Sequence, residues 1–205
     1  PAAAVPAGFI ESVVEAARLA PSSANSQPWR FVWDGRRLSI RVRPERVNPF
    51  LNFMTPDAWL SLGAVLANIR VTAAALGYRC EVELLPRDAH EGLTAQVGFT
   101  PGSAPHGGLA TAVAQRVTNR NAYDARAIPA DLRGELLTVL QEYQPTVRLD
   151  WVEEPQARQR LADALSIFNR ALFENDGFRS SFLSWFRRTP EELARSRDGM
   201  GLDAL

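Results

Sequence analysis

From Pro56 to Gly77 the apolar residues Trp59, Leu62, Leu66, Ile69, Ala73 and Leu76 recur every three or four positions, and Gly77 supplies a stop. That spacing predicts a long helix with a broad apolar stripe, which has to be buried against another layer. The small residues Gly63, Ala64 and Ala67 would let a second helix approach it closely. Directly after it, Cys80, Val82 and Leu84 alternate with Glu81 and Glu83, the period of a half-buried strand. Leu93 to Phe99 is the expected antiparallel neighbour.

Upstream, Ile10, Val13, Val14, Ala17 and Leu19 have helical spacing and predict a first helix from about Pro6 to Leu19, stopped by Pro21 and the polar residues Ser22, Ser23, Asn25 and Ser26. Phe31-Val32-Trp33, an Asp34-Gly35 turn and Leu38 to Val42 form a hairpin signal. Downstream, a helical stretch over Leu109–Gln115 runs into Arg116-Val117-Thr118-Asn119-Arg120. Ile128-Pro129-Ala130 opens another helix through Leu132, Leu136, Leu137 and Leu140. Val147, Leu149 and Trp151 read as a strand, Pro155 to Phe173 as a long helix, and Phe178 to Leu205 as a partly helical tail rich in aromatic residues and Arg. Val5-Pro6 with a helix ending at Pro21 is echoed by Ile128-Pro129 with a helix ending near Pro145; two halves of similar plan and chance likeness of two Pro-initiated helices explain this equally well.

At 205 residues the chain can build one sizeable core or two small ones. Its 23 basic residues balance 23 acidic ones, which leaves no net field to gather nucleic acid or an anionic membrane. Every basic residue is Arg. Without lysine there is no Schiff-base or pyridoxal phosphate chemistry, and an anion has to be met by Arg, by backbone N–H groups or by a helix terminus. The single cysteine, Cys80, forms no internal disulfide and no thiolate metal cluster, and its alternating strand makes it a small buried hydrophobe rather than a nucleophile. His90 and His106 lie in loop-like segments without partner ligands at metal spacing and read as solvent-exposed. Apolar stretches are broken by Arg, Asn or Gly before the roughly 20 residues of a membrane span, which reads as a soluble chain. No leader is visible; the expected location is the cytoplasm, with export after leader removal as the alternative.

Two segments carry chemistry. Ala20-Pro21-Ser22-Ser23-Ala24-Asn25-Ser26-Gln27-Pro28-Trp29 lies between a helix and a strand, and its short polar side chains and backbone N–H groups can wrap a polar ligand edge. As physics alone, an ordinary capped connection is the commoner outcome. In an extended segment Arg116, Thr118 and Arg120 point the same way, so two guanidinium groups and a hydroxyl can receive a phosphate and a second electron-rich group. A solvated surface strand is the plain alternative. His106-Gly107-Gly108 reads as an N-terminal turn in preference to a phosphate loop.

Taken together these segments resemble the FMN-dependent nitroreductase superfamily. The decamer Ala20–Trp29 matches its Ala-Pro-Ser-x-x-Asn-x-Gln-Pro-Trp motif, Arg116, Thr118 and Arg120 before Ile128-Pro129 match its Arg-x-Ser/Thr-x-Arg element, and Asp57 to Gly77, with Gly63, Asn68 and Leu76-Gly77, is similar to its later helix. The order differs. In conventional members the Arg element precedes the Pro-Ser loop and the flavin lies between two subunits, whereas here the Arg element follows by about ninety residues. The arrangement resembles the single-chain, tandem Acg-like branch.

The resemblance implies an α+β fold, a central mostly antiparallel sheet flanked by helices, built as a tandem pseudo-dimer. Its first half would span 1–107 and its second, incomplete half 108–205, the chain being cut short or followed by a further tail, with 178–205 as a candidate lid. It implies FMN as cofactor and NAD(P)H and a small planar acceptor, a nitroaromatic or a quinone, as partners, in a monomeric pseudo-dimer or a homodimer. Arg116 and Thr118 would take the FMN phosphate or ribityl chain and Arg120 the pyrimidine edge. Pro21, Ser22, Ser23, Asn25 and Gln27 would line the isoalloxazine and ribityl, and Trp29 would pack in the core. No protein acid or base is needed, because the flavin carries the chemistry. The competing expectations are FMN storage without turnover, under a lid at Phe178 to Arg188, and a degenerate domain that serves only as an interaction surface.

Overall fold

The computed structural model describes residues 5–47, 56–86, 92–124, 126–141 and 143–202. The chain is divided into two compact units, Pro1–Thr118 with Ser180–Leu205, and Asn119–Arg179. The fold is α+β with an antiparallel four-stranded sheet.

In the first unit the chain begins with helix α1 (Phe9–Arg18), then forms strands β1 (Trp29–Trp33) and β2 (Arg37–Val42), helix α2 (Pro56–Ala75), strands β3 (Tyr78–Leu84) and β4 (Leu93–Pro101), and the short helix α3 (Ala110–Gln115). The sheet order is β1-β2-β4-β3, every neighbouring pair antiparallel. The hairpin turns at Gly35, whose φ of +91° suits a residue without Cβ, and the Asp34 carboxylate accepts the N–H groups of Arg36 and Arg37 at 2.8 and 2.7 Å.

Alternation decides which face is buried. Leu38, Ile40, Ala95, Val97 and Phe99 are all less than 4% exposed and point to one side, where Phe9, Val13 and Ala17 of α1 and Leu62, Val65, Ile69 and Ala73 of α2 close the core. Phe9 packs at a tilt against Tyr78 at 4.4 Å and meets Phe99 edge-on at 5.0 Å. Trp29 is buried, as expected. The opposite face is polar and carries the Arg37–Glu83 ion pair at 2.8 Å.

The buried line of α2 differs from the expected stripe: Val65 belongs to it, whereas Trp59 and Leu76 stand 44% and 46% exposed. Gly63 faces open space, so no backbone comes close to α2 there. A close approach to α2 is made by Gly107, where a Cβ would lie 3.0–3.2 Å from backbone atoms of Ala74 and Ala75. His106 is exposed, and residues 106–109 form a plain turn leading into α3. His90 lies outside the described residues. Asp57–Ala75 is long and apolar enough to cross a membrane, with a mean hydropathy of 1.4, contrary to the expectation that no stretch is; isolated Gly63, Asn68 and Arg70 do not lower the average enough. A third of it is buried within the protein. Burial pushes the Cys80 thiol up to about 11, as befits a packed side chain rather than a thiolate.

In the second unit lie α4 (Ala130–Gln141) and α5 (Pro155–Glu174); α6 (Asp176–Leu183) follows. Glu154 caps α5 by accepting the N–H groups of Gln156 and Ala157, with Pro155 at the first helical position. Neither α4 nor α5 has a buried residue, and Leu132, Leu161, Leu165 and Phe168 are 44–55% exposed. Val147 to Trp151, expected as a strand, is not one. No other strand occurs among the unit's described residues, so an extended segment there would leave its backbone groups unpaired. The tail continues through β5 (Phe186–Arg187), α7 (Pro190–Ser196) and β6 (Met200–Gly201), and β5 and β6 pair in parallel.

Ile69 is fully buried between α1, α2 and the sheet. Ile69→Ala is expected to lower stability by about 2–5 kcal/mol in chemical denaturation, through lost burial and the cavity left behind.

Candidate functional site

α1 ends at Arg18, where the Leu19 N–H reaches the Ala16 and Ala17 carbonyls and the carbonyls of the last turn keep capacity for further donors. Two residues from elsewhere reach them. Asn68 of α2 donates to the Ala16 carbonyl at 2.9 Å, and Arg116, just past α3, donates to the Leu19 carbonyl at 3.3 Å. Cations are favoured at this end of a helix. Arg116 also approaches the Thr118 hydroxyl at 3.4 Å, so these two side chains share one side of their segment. The first unit thereby brings Arg116 and Thr118 to the head of the loop that starts at Ala20. Arg120 lies in the second unit.

The loop itself is tightly built. Ala24, Asn25 and Gln27 have φ of +50 to +52°, in the left-handed region that side chains with Cβ rarely adopt. The Ser22 hydroxyl accepts the Gln27 N–H at 2.9 Å, the Ser22 carbonyl accepts the Asn25 N–H at 3.0 Å, and the Ser23 carbonyl accepts the Ser26 N–H at 2.9 Å. Pro21 is exposed, Ser22 and Ser23 half-buried, and Ser26 buried.

What holds the loop comes from the other end of the chain. Asn25 donates its side-chain amide to the Gly199 carbonyl at 3.0 Å and receives the Gly199 N–H on its own carbonyl at 3.1 Å. Gln27 donates to the Arg197 carbonyl at 2.6 Å. Arg46 donates to the Ser26 carbonyl at 2.6 Å and is ion-paired with Asp198, which also pairs with Arg187 at 2.7 Å. Both guanidinium groups lie over the Trp185 ring, at 5.4 and 5.9 Å. Burial raises the Asp198 pKa, but the bonds from Arg187 and Arg46 outweigh it and hold the carboxyl below its ordinary value of 3.8. Gly199, at φ +76°, is held so close to the Trp185 carbonyl that no Cβ fits.

The site residues expected in the first unit are thus placed as follows. Pro21, Ser22, Ser23, Asn25 and Gln27 share one loop, and Arg116 with Thr118 stands at its start. The amides of Asn25 and Gln27 are engaged by the C-terminal segment. Arg46, Trp185, Arg187, Asp198 and Gly199 were not expected; the tail's Arg-rich, aromatic character was a signal for Trp185 and Arg187, and Arg46 had none.

Gly199→Ala and Asp198→Asn are both expected to free residues 185–201 from the loop, seen as faster proteolysis of the tail, and Asp198→Asn to lower stability by about 1–3 kcal/mol. A carboxyl whose folded pKa is lowered stabilises fully above its unfolded value and stops doing so as pH falls through the folded one. Proteolysis of the native tail is therefore expected to be flat at neutral pH and to accelerate below the ordinary Asp value of 3.8. In Asp198→Asn this step should be missing.

The model of the nitroreductase family matches residues 1–51, which include the whole Pro-Ser loop. A Mycobacterium tuberculosis protein whose provisional name is NAD(P)H nitroreductase acg is 29% identical over 182 residues, 86% of this chain and 53% of its own length. A second protein of that organism, provisionally named NAD(P)H nitroreductase Rv3131, is 30% identical over 58% of this chain and 36% of its own. The chain spans about half the length of the acg protein that it matches. The Pro-Ser loop thus lies within the stretch that fits the nitroreductase family model, and along most of its sequence the chain is similar to acg.

Proposed function

We propose that this chain forms part of an FMN-binding oxidoreductase that passes hydride from NAD(P)H to a flat acceptor such as a nitroaromatic or a quinone. The observation that carries this reading is the Arg116 guanidinium on the Leu19 carbonyl, which brings Arg116 and Thr118, the first two residues of the Arg element, to the Pro-Ser loop within one unit. Conventional members of the superfamily draw these elements from two subunits. A tandem pseudo-dimer, with halves 1–107 and 108–205, accounts for both being present here.

The donor set fits FMN. Guanidinium groups and a hydroxyl suit a phosphate and a ribityl chain, and a chain without lysine has only Arg for the charged contacts. Arg116 and Thr118 would hold the phosphate or ribityl end; a guanidinium at the pyrimidine edge, the role that the resemblance gives Arg120, would favour the reduced form. Pro21, Ser22 and Ser23 line the ring from the loop, while Asn25 and Gln27 fix the loop's shape through their bonds to residues 197–199. FMN, when bound, supplies the hydride acceptance and delivery at its ring. The protein orients it and excludes competing reactions, and no side chain has to move a proton. The likeness to proteins named as NAD(P)H nitroreductases supports NAD(P)H as the donor.

Protein reconstituted with FMN is expected to show a bound-flavin visible spectrum and to oxidise NAD(P)H in the presence of a nitroaromatic or quinone. Arg116→Ala is expected to weaken FMN about tenfold or more, the loss of a charge-assisted contact. A bound spectrum without turnover on any acceptor would establish storage instead, and protein that takes up no FMN would overturn the reading.

A further inference from the structure

Beside the Pro-Ser loop, Arg18, Arg30, Arg43, Arg46 and Arg197 surround a cleft of about 290 Å3 together with Gln27. Asp198 is its one carboxylate. Three of the five guanidinium groups are spoken for: Arg18 by Glu15 at 2.7 Å, Arg43 by Glu45 at 2.8 Å, and Arg46 by Asp198 and the Ser26 carbonyl. Arg30 and Arg197 have neither a side-chain hydrogen bond nor an ion pair among the described residues. A wider depression adjoins the cleft, sharing Arg30 and Arg43 and adding Arg41.

Arg30 and Arg41 face each other directly across the β1–β2 ladder, which sets two arginines side by side on the sheet. Five guanidinium groups and one carboxylate line the cleft, a local positive excess that concentrates counter-ions. The chain as a whole is neutral, so this is a local concentration and not a general basic character. Planar guanidinium forks match the several oxygens of a phosphate group better than they match any neutral ligand. Trp29 and Phe31 in the wall add flat apolar surface beside these charges.

We propose that this cleft is a phosphate-binding site, which takes the phosphate of a phosphorylated small molecule between Arg30 and Arg197. Gln27 of the Pro-Ser loop also lines the cleft, but neither Arg30 nor Arg197 belongs to the set assigned to FMN. The site's ligand is a free phosphate compound or the phosphate-bearing portion of a dinucleotide, and the chemistry of recognition is the same for both.

Calorimetric titration of the full chain saturated with FMN, or of the chain alone should it bind none, tests this with inorganic phosphate, pyrophosphate and ADP-ribose as probes. At least one probe is expected to bind, to weaken about tenfold in Arg30→Gln and again in Arg197→Gln, and to be unchanged in Arg36→Gln, an exposed arginine outside the cleft. ADP-ribose binding much more tightly than pyrophosphate would identify a dinucleotide as the source, and equal or weaker binding a smaller phosphate compound. No binding of any probe, binding indifferent to both cleft substitutions, or binding that FMN abolishes would each overturn the proposal. Because the readout is anion binding, it is separate from flavin uptake and from turnover.

Discussion

Asp198 fastens the C-terminal segment to the Pro-Ser loop, and the shape of the candidate site depends on that tie. Ala24, Asn25 and Gln27 all occupy left-handed backbone without being glycine. Such residues cost on the order of 1–3 kcal/mol each and persist where the surroundings leave no alternative. Here the surroundings are Gly199, Arg197 and Arg46, which accept from or donate to the loop, and Asp198 holds the first two in place by gripping Arg46 and Arg187. The loop's form is therefore not a local property of ten residues.

The other end of the loop is fixed by α1. Its buried face, Phe9, Val13 and Ala17, is set against the sheet and α2, so the helix terminus is as fixed as the core. Asn68 and Arg116 then use carbonyls of that terminus, Ala16 and Leu19, as anchor points. A binding loop held at both ends needs little further ordering when a ligand arrives, which favours affinity. Arg116 accordingly has a structural contact as well as its proposed functional one.

Much of the first unit was legible in the sequence, because each signal was local. Asp34-Gly35 marks the hairpin, and the alternation from Cys80 to Leu84 and from Leu93 to Phe99 yields antiparallel strands paired from Tyr78↔Pro101 to Leu84↔Ala95. The loop was legible through a motif, and the extension of Arg116 and Thr118 on one side through simple strand geometry. What was not legible was non-local. Arg46 and Asp198 are separated by 152 positions, and nothing in either neighbourhood announces the other. Alternation also misled at Val147 to Trp151, since a strand needs a partner that the pattern alone does not reveal. On α2, helical spacing admitted Trp59 and Leu76, yet burial follows the face that α1 and the sheet actually cover.

The central claim, that a flavin is held where the Pro-Ser loop meets the Arg element, is tested most directly by hydrogen exchange with and without FMN. We expect FMN to slow exchange in residues 20–27 and 116–118 and to leave the β3–β4 hairpin unchanged. Slowing confined to other segments, with both of these unaffected at saturating FMN, would contradict it.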